Sequence, residues 1–398
     1  MYEVFKAKEL CVIKMKIKEK YEKTRQFSLE IVAPLKTEDF IPQAATFASP
    51  PKWHLAHTTW FFEELILARY QKDYRKFHPQ YNFLFNSYYN TLGERVQRQN
   101  RGSLSRPTVE EVLAYRTHVD QHMIDLLSDD HLSKEVSDLI VLGINHEQQH
   151  QELFFTDLKY NFSVNPLYPS YSEKAKCEDK NEGSAGFIPM SEGLYEIGFT
   201  GNGFFYDNER ERHSVFLRSC EISKHLVTNG EFLEFIDDSG YDRFEFWHDD
   251  ALAWKQENGI TRPMYWQKVD GQWYQYTLAG LHKIQSDHIL THITYYEAFA
   301  FAQWKGLRLP TEFEWEAAAD QFNWGRRWEW TESAYLPYPG YKRAAGAVGE
   351  YNGKFMVNQK VLRGASVVTS EGHSRKTYRN FFHPLVGYQF NGIRLARG

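Results

Sequence analysis

Cysteine is scarce in this 398-residue chain, which has only three. They are Cys11, Cys177 and Cys220, which form no pairs or clusters along the chain. A disulfide framework needs an even set of cysteines, and a thiolate metal site needs close spacing. The sequence therefore predicts neither, and we expect free thiols.

Long apolar runs and an excess of positive charge are also missing. No segment approaches the roughly 18 apolar residues of a membrane-spanning helix, and the N-terminal residues lack the order of a secretory signal. The formal net charge is −5 and the isoelectric point is near 6.4, with no basic run that could follow a phosphate backbone. We therefore expect a cytoplasmic protein with neither a nucleic-acid nor a membrane partner.

The length and the aromatic content are the informative features of the composition. At 398 residues the chain is long enough for two or three domains. Aromatic residues make up 16% of it, which is high for a soluble protein and predicts aromatic pockets.

The most distinctive stretch is His146-Glu147-Gln148-Gln149-His150. It lies within Leu139 to Phe155, where apolar residues recur at helical spacing and proline is absent. The two histidines therefore lie one turn apart on one helix face and can bind one metal ion. The alternative is a polar helix face that carries two solvated histidines.

Three further helices are predicted upstream. An amphipathic pattern runs from Lys14 to about Leu35, a second helix begins after Pro50-Pro51, and Thr108 to Glu111 reads as a capping box that opens a third. With the histidine-bearing helix they predict a four-helix bundle, a fold that builds metal sites from facing helices.

The second of these helices carries His54 and His57, three residues apart and so on one face. One of them could complete a metal site with the downstream pair. The alternative is a core histidine that is bonded to a carbonyl oxygen.

Residues 83 to 107 are polar and lack any period, which predicts a long loop. Long ordered loops are usually functional. This one offers the phenols of Tyr88 and Tyr89 and four arginines suited to binding carboxylates, namely Arg95, Arg98, Arg101 and Arg106. The alternative is a solvated basic loop.

Residues 166 to 186 are poor in apolar residues and predict a linker. Beyond it, glycine and aromatic residues increase and the apolar pieces become short, which predicts an irregular α+β domain. Two helices are expected within it, Thr228 to Ile236 and Thr294 to Trp304.

Four segments of the second half resemble, in order, the signatures of the formylglycine-generating-enzyme fold, a C-type-lectin-like domain. They are Gly306 to Ala319, Trp328 to Ser333, Val361 to Ser366 and Gly392 to Arg397. The first half resembles a DinB-like bundle through Leu55-Ala56-His57 and the motif His146 to His150.

Together the two halves resemble the ergothioneine-biosynthesis sulfoxide synthases of the EgtB type. The expected fold class is α+β, with a DinB-like four-helix bundle over 1–165, a linker over 166–186 and a C-type-lectin-like domain over 187–398. The resemblance implies a nonheme Fe(II) enzyme that uses O2 to join a thiol to the imidazole of hercynine. It assigns His57, His146 and His150 as the iron ligands.

The resemblance also implies substrate contacts. Gln149 matches a residue that helps to place hercynine, and Phe381 matches the aromatic residue that meets its trimethylammonium group, where many relatives have Trp. Tyr88 or Tyr89 resembles the active-site tyrosine pair of one branch, in which a phenol can deliver a proton to reduced dioxygen.

The resemblance bears on the thiol as well. Relatives that use γ-glutamylcysteine carry an aspartate where this chain has Phe382, and a phenyl ring cannot accept a hydrogen bond from the glutamyl ammonium. Arg98 and Arg101 could still bind the carboxylate of free cysteine. We therefore expect cysteine to be favoured over γ-glutamylcysteine, unless another acid, for instance in residues 201 to 213, replaces the aspartate.

Three other functions compete with this interpretation. His146-Glu147-x-x-His150 also fits a zinc hydrolase with Glu147 as general base, although no downstream glutamate or histidine ligand follows at the usual spacing. A formylglycine-generating activity is disfavoured, because that chemistry resembles copper-dependent thiol oxidation by a pair of cysteines late in the domain. In this chain no cysteine follows Cys220. The third alternative is a noncatalytic binding module with structural histidines.

Overall fold

The structure is a computed structural model, and it divides into two compact units, Met1–Val164 and Asn165–Gly398. It describes residues 2–87, 89, 93–129, 132–173, 175, 180, 185–343, 349 and 351–398, with side chains from residue 15 onward. Among these residues no helix is both long and apolar enough to cross a lipid bilayer.

The first unit is a four-helix bundle, as the sequence predicts. Its helices are α1 (Tyr2–Val32), α2 (Pro51–Phe62), α3 (Ala68–Tyr70), α4 (Tyr81–Phe85), α5 (Val109–Ser128) and α6 (Lys134–Ser163). A π-helical turn, Glu63–Leu67, continues α2, and two 3-10 turns lie at Thr37–Phe40 and Arg98–Ser103. The four long helices form the bundle, with α1 and α2 each packed against α5 and α6.

The helix starts follow local chemistry. Pro51 occupies the first turn of α2, where its missing N–H costs nothing. The Thr108 hydroxyl accepts the N–H of Glu111, whose carboxylate in turn accepts the N–H of Thr108, so the predicted capping box is confirmed. Helix α1 begins at Tyr2, earlier than the amphipathic pattern indicates, and ends at Val32.

The predicted loop over 83–107 is more ordered than its composition suggests. It contains the end of α4 and the 3-10 turn Arg98–Ser103. The side chain of Gln43 donates to the carbonyl oxygens of Ala48 and Arg98 and accepts the N–H of Gly102. One amide therefore bonds to the backbone of Ala48 and to two backbone groups of the 3-10 turn, and these hydrogen bonds fix the loop although it lacks hydrophobic periodicity.

Gly143 lets α2 and α6 pack closely. A Cβ atom at this position would lie 2.6 Å from a ring atom of Phe62 and 2.9 Å from one of Phe61. Both distances are shorter than a normal carbon contact, so only glycine permits this approach. Gly143 lies one turn before His146, and the close packing therefore brings α2 against the histidine-bearing part of α6.

The second unit is built from small sheets and short helices. Its helices are α7 (Asn229–Asp237), α8 (Asp249–Asn258), α9 (Tyr295–Trp304) and α10 (Glu312–Ala318), with 3-10 turns at Asp207–Glu209, Phe244–Phe246, Ala319–Gln321 and Gly353–Phe355. Its strands are β1 (Phe187–Met190), β2 (Gly193–Ile197), β3 (His213–Leu217), β4 (Cys220–Leu226), β5 (Trp266–Val269), β6 (Gln272–Thr277), β7 (Gly280–Lys283), β8 (Trp328–Ala334), β9 (Lys360–Gly364), β10 (Asn380–Phe382), β11 (Asn391–Gly392) and β12 (Arg394–Arg397).

Four sheets result. Their strand orders are β1-β4-β12, β10-β9-β8-β11, β2-β3 and β5-β6-β7. All pairs are antiparallel except β8 with β11. The mixture of short helices and sheets confirms the α+β class, and α7 and α9 confirm the two predicted helices. Helices α8 and α10 were not predicted.

The signature segments supply buried ion pairs of this unit. Arg394 forms a two-pronged pair with Glu329, with both side chains fully buried. Arg363 of β9 pairs with Glu316 of α10 through one hydrogen bond, and both side chains are buried. A buried charge needs a buried partner, so these motifs are explained by the scaffold of the domain.

Part of the predicted linker packs against the second unit. The N–H groups of Tyr171 and Ser172 both donate to the carbonyl oxygen of Leu278, at 2.8 and 3.2 Å. The compact unit accordingly begins at Asn165.

Candidate metal centre

His57 of α2 and His146 and His150 of α6 come together inside the bundle. One nitrogen from each lies within 4.8 Å of the others, and the ring centroids are 4.6 to 4.9 Å apart. His57 and His146 are buried and His150 is half-buried. The structure thus assembles the three residues that the family resemblance assigns as ligands.

Three contacts fix the orientation of the His57 ring. Its imidazole stacks on Trp53 with centroids 4.5 Å apart and on Trp60 at 5.3 Å. Its Nδ1 lies 2.6 Å from the carbonyl oxygen of Phe85, to which it must donate. The lone pair of neutral His57 is therefore on Nε2, which is buried and has no hydrogen-bond partner among the residues that the structure describes.

The other two histidines are oriented from different sides. The ring of His146 stacks on Phe61, with centroids 4.7 Å apart. The Nδ1 of His150 lies 2.9 Å from the Nδ1 of His54, whose Nε2 lies 3.0 Å from Asp157. His54 is therefore occupied on both nitrogens and is a neighbour of the cluster.

Burial keeps these imidazoles neutral. It lowers the pKa of His146 to about 3, although nearby Glu147 opposes the shift. Burial, followed by the neighbouring histidines, also lowers the pKa of His57 and of His150 well below the usual range. Neutral imidazole is the form that binds metal, so the cluster is ready for a cation at neutral pH.

The donor set fits a divalent transition metal. Imidazole nitrogen suits Fe(II) as well as zinc, and three protein ligands leave further coordination positions open. The buried Nε2 of His57 without a hydrogen-bond partner in the described chain is explained by such an ion, because buried polar atoms are otherwise nearly always bonded.

The carboxylate of Glu147, the glutamate between the two histidines of the motif, is engaged in buried hydrogen bonds. Its two carboxylate oxygens accept hydrogen bonds from Arg25 at 2.8 Å, Arg116 at 2.6 Å and the hydroxyl of Ser28 at 2.6 Å. Burial would raise the pKa of this carboxyl, but Arg116 and Arg25 outweigh burial and lower it to about 2. A carboxylate held in this way is a poor general base, so the structure disfavours the zinc-hydrolase alternative.

Arg101 is a buried cation beside the cluster. Its Cζ lies 3.3 Å from the ring centroid of Trp53, the residue that stacks on His57, and it donates to the hydroxyls of Ser49 and Ser87 at 2.9 and 3.1 Å. No carboxylate of the described residues forms an ion pair with it. Burial, and then the charge of Arg98, lower the pKa of Arg101, and the carboxylate of Asp157 opposes this shift only in part.

The other predicted loop residues have different surroundings. Arg98 is exposed and donates to the carbonyl oxygen of Phe47. Tyr89 is 1% exposed and packs on Trp60, with centroids 5.5 Å apart, while Tyr88 lies outside the described residues. Gln149 is half-buried on α6, directly before His150.

Phe381 and Phe382 lie on β10 of the second unit. Phe381 stacks on Tyr335 at 4.1 Å and lies 5.8 Å from the ring of Phe355. Phe382 pairs across the strands with Lys360 and lies 6.4 Å from the ring of Tyr388. Both are partly exposed, and their roles in substrate binding stay predictions.

Sequence reasoning missed several residues that shape the site. Trp53 and Trp60 lie four residues before and three residues after His57, a helical spacing that could have revealed the stack. The partners of Glu147, and Asp157 behind His54, carry no such local signal because they come from distant parts of the chain.

The two halves of the chain match two different protein families. Residues 20–154 match the DinB superfamily, and residues 173–327 match the sulfatase-modifying factor enzyme 1-like domain. The hercynine oxygenase of Mycolicibacterium smegmatis is 29% identical across 87% of this chain and 91% of that protein. The hercynine oxygenase of Mycolicibacterium thermoresistibile is 28% identical across 87% of each chain.

A second group of relatives matches only part of the chain. The formylglycine-generating enzyme of Streptomyces coelicolor is 31% identical, but over 33% of this chain and 45% of that protein. The similarity to the hercynine oxygenases spans both halves, as the motifs predict. The chain therefore joins a DinB-superfamily domain to a sulfatase-modifying factor enzyme 1-like domain and is related over most of its length to the hercynine oxygenases.

Proposed function

We propose that this protein is a nonheme iron(II)- and O2-dependent sulfoxide synthase that joins a thiol to the imidazole of hercynine in ergothioneine biosynthesis. The observation that carries the proposal is the buried cluster of His57, His146 and His150 in a chain similar over 87% of its length to proteins named hercynine oxygenase. The predicted preference for cysteine over γ-glutamylcysteine belongs to the same proposal.

The reaction balances with O2 as the only oxidant. A thiol S–H and an imidazole C–H are replaced by a C–S bond, and the sulfur gains one oxygen atom. These changes release four electrons, and the second oxygen atom leaves as water. A ferrous ion bound by the three histidines would activate O2 and bind the thiolate at its open positions.

Arg101 is the residue best suited to the carboxylate of the thiol substrate. It is buried, contacts Trp53 beside His57 and has no acidic partner in the described chain. An incoming carboxylate would compensate its charge through a two-pronged hydrogen bond. Arg98, which is exposed, adds positive charge at the same loop. Substrate binding would thereby add to the partial compensation that Asp157 gives this buried guanidinium.

Tyr89 is assigned as the proton donor, with Tyr88 as its neighbour in sequence. Its ring packs on Trp60, which in turn stacks on His57, so the phenol belongs to the aromatic layer next to the metal ligands. In this role its O–H supplies a proton to reduced dioxygen and directs the reaction toward C–S bond formation.

The environment of Phe382 supports cysteine as the thiol. Its cross-strand neighbour is Lys360, whose ammonium lies 3.9 Å from a carboxylate oxygen of Glu332, so the residue directly opposite Phe382 is not an acid. An ammonium buried without an acceptor is costly. The glutamyl ammonium of γ-glutamylcysteine would therefore be disfavoured at Phe382, whereas free cysteine has no glutamyl ammonium.

The family resemblance assigns hercynine contacts to Gln149 of the first unit and to Phe381 of the second. Gln149 precedes the ligand His150 on α6 and offers an amide that can bond an imidazole or a carboxylate. Phe381 offers a ring face to the trimethylammonium group, a cation–π contact worth about 0.5 to 2 kcal/mol. Phenylalanine makes a weaker cation–π contact than tryptophan does.

The test is reconstitution of the metal-free protein with Fe(II) under anaerobic conditions, followed by O2 with hercynine and each thiol. We expect one iron per chain, O2 consumption that requires both substrates, and a sulfoxide detected by mass spectrometry. Zinc in the protein as purified, together with no O2 consumption after Fe(II) loading, would point to a hydrolase. Absence of any bound metal would point to a binding module.

A further inference from the structure

A carboxylate, an imidazole and a metal-cluster imidazole form a buried chain in the first unit. Asp157 Oδ2 lies 3.0 Å from His54 Nε2, and His54 Nδ1 lies 2.9 Å from His150 Nδ1. Asp157 and His54 are 1% and 4% exposed, so water does not compete for these bonds. The backbone N–H of Ser49 donates to the same Asp157 oxygen at 2.7 Å and holds the carboxylate in place.

The proton positions along this chain follow from the acid at its end. A carboxylate only accepts, so His54 must carry its proton on Nε2. Neutral His54 then presents a bare Nδ1, and the single proton of the Nδ1 to Nδ1 contact must belong to His150. His150 is thereby left with its lone pair on Nε2. The opposite arrangement would set a bare nitrogen of His54 against the carboxylate and would place the His150 proton on Nε2.

We propose that Asp157, acting through His54, sets the tautomer of His150 and so presents its Nε2 to the metal, an inference that rests on the proposed metal site. Histidine ligands commonly donate their second N–H directly to a carboxylate or a carbonyl oxygen. His57 follows that rule with Phe85. His150 instead donates its N–H to the imidazole of His54, which in turn donates to the carboxylate of Asp157. Asp157 and His54 are positioning residues and do not themselves bind the metal.

Little space is left around the contact between His54 and His150. A cavity of only about 10 Å³ borders it, lined in part by His54, His150, Glu147 and Gln151. It has room for about one water molecule at most, which is too little for a substrate.

Two substitutions at His54 separate the proposal from a packing effect. His54→Phe keeps a ring but removes the acceptor of the His150 proton, and His54→Gln restores an acceptor oxygen. We expect His54→Phe and Asp157→Leu to weaken Fe(II) binding by about 10- to 100-fold in chelator competition, with a much smaller loss in His54→Gln. His122→Phe is the control, because His122 bonds to the carbonyl oxygen of His118 within α5.

A second measurement reads the tautomer of His150 in the wild-type protein and needs no bound metal. Long-range ¹H–¹⁵N spectra of the metal-free, histidine-labelled protein report which nitrogen of each ring is protonated, with His150→Gln providing the assignment. We expect His150 to carry its proton on Nδ1. A proton on Nε2, or wild-type Fe(II) affinity in natively folded His54→Phe, would overturn the proposal. Failure of the wild-type protein to bind Fe(II), with His150 protonated on Nδ1, would reject the metal site and leave the tautomer assignment standing.

Discussion

His57 and Trp53 are stacked face to face, with ring centroids 4.5 Å apart and planes inclined by only 14°. They lie one turn apart on α2, so the helix itself sets the stack. The same indole contacts the guanidinium of Arg101. Trp53 thus connects the metal cluster to the residue assigned to the thiol carboxylate, and disturbance of this ring is expected to affect both.

Loss of any one histidine of the cluster should abolish iron binding. In His57→Ala, His146→Ala and His150→Ala we expect no bound iron and no O2 consumption, because the remaining two imidazoles are too weak a chelate. Iron per chain is measured by elemental analysis after anaerobic loading. His118→Ala, which removes another histidine of the same bundle, should keep full iron. Full iron in purified His150→Ala would contradict the ligand assignment.

The tyrosine pair should control the product rather than the affinity. In Tyr89→Phe, and in Tyr88→Phe if that phenol is the donor, we expect the product to shift from the sulfoxide toward the sulfinate of the thiol, because reduced dioxygen loses its proton source. Product ratios by mass spectrometry test this, with Tyr160→Phe as a control in the same bundle. An unchanged sulfoxide yield in both variants would refute the role.

The charged groups of the thiol substrate should determine which thiol the enzyme prefers. We expect a higher kcat/KM for cysteine than for γ-glutamylcysteine, and Phe382→Asp should narrow the difference because it supplies an acceptor for the glutamyl ammonium. Arg101→Met should raise the KM for the thiol at least tenfold, since a charge-assisted hydrogen bond contributes about 1.5 to 3 kcal/mol, and should leave the KM for hercynine nearly unchanged. A higher kcat/KM for γ-glutamylcysteine in the natural protein would overturn the assignment.

Glu147 should act on stability, with a defined pH dependence. Its folded-state pKa of about 2 is below the ordinary 4.5, so its contribution is fully present above pH 4.5 and is lost as the pH falls toward 2. Glu147→Gln leaves Arg25 and Arg116 without their shared buried partner and should cost about 3 to 5 kcal/mol at pH 7.

Urea unfolding at pH 7 and at pH 3 measures this contribution. Glu19→Gln is the matched control, because Glu19 forms an exposed pair with Lys23 at 2.7 Å, and its loss should leave the free energy of unfolding nearly unchanged. Native stability of Glu147→Gln combined with complete loss of activity would instead indicate a general base and revive the hydrolase.

Gly143 should be intolerant of a side chain. Gly143→Ala improves helix propensity by about 1 kcal/mol, yet its Cβ would collide with Phe61 and Phe62, and overpacking costs about 1 to 3 kcal/mol. We expect a net loss of unfolding free energy and weaker iron binding, because Phe61 stacks on His146. Asp138→Ala on the exposed part of α6 is the control. A gain in stability would show that α2 and α6 are not in close contact.

The sequence by itself determined the local features of this protein. The spacing of His146 and His150 follows from the helical period, and the starts of α2 and α5 follow from Pro51 and from the Thr108 capping box. These features involve groups within one or two turns of each other, so short-range chemistry suffices. The ordered signatures of the second half were likewise readable, because motifs that carry buried ion pairs tolerate few substitutes.

Only the tertiary structure decided what each polar group of the site does. His54 and His57 share a helix face, and their sequence spacing leaves open which one joins the cluster. The choice follows from Phe85 and Asp157, which occupy Nδ1 of His57 and Nε2 of His54 from 28 and 103 residues away. Glu147 is likewise engaged by Arg25 and Arg116, 122 and 31 residues distant. Hydrogen bonds over such separations depend on how the helices pack, and no local period encodes that packing.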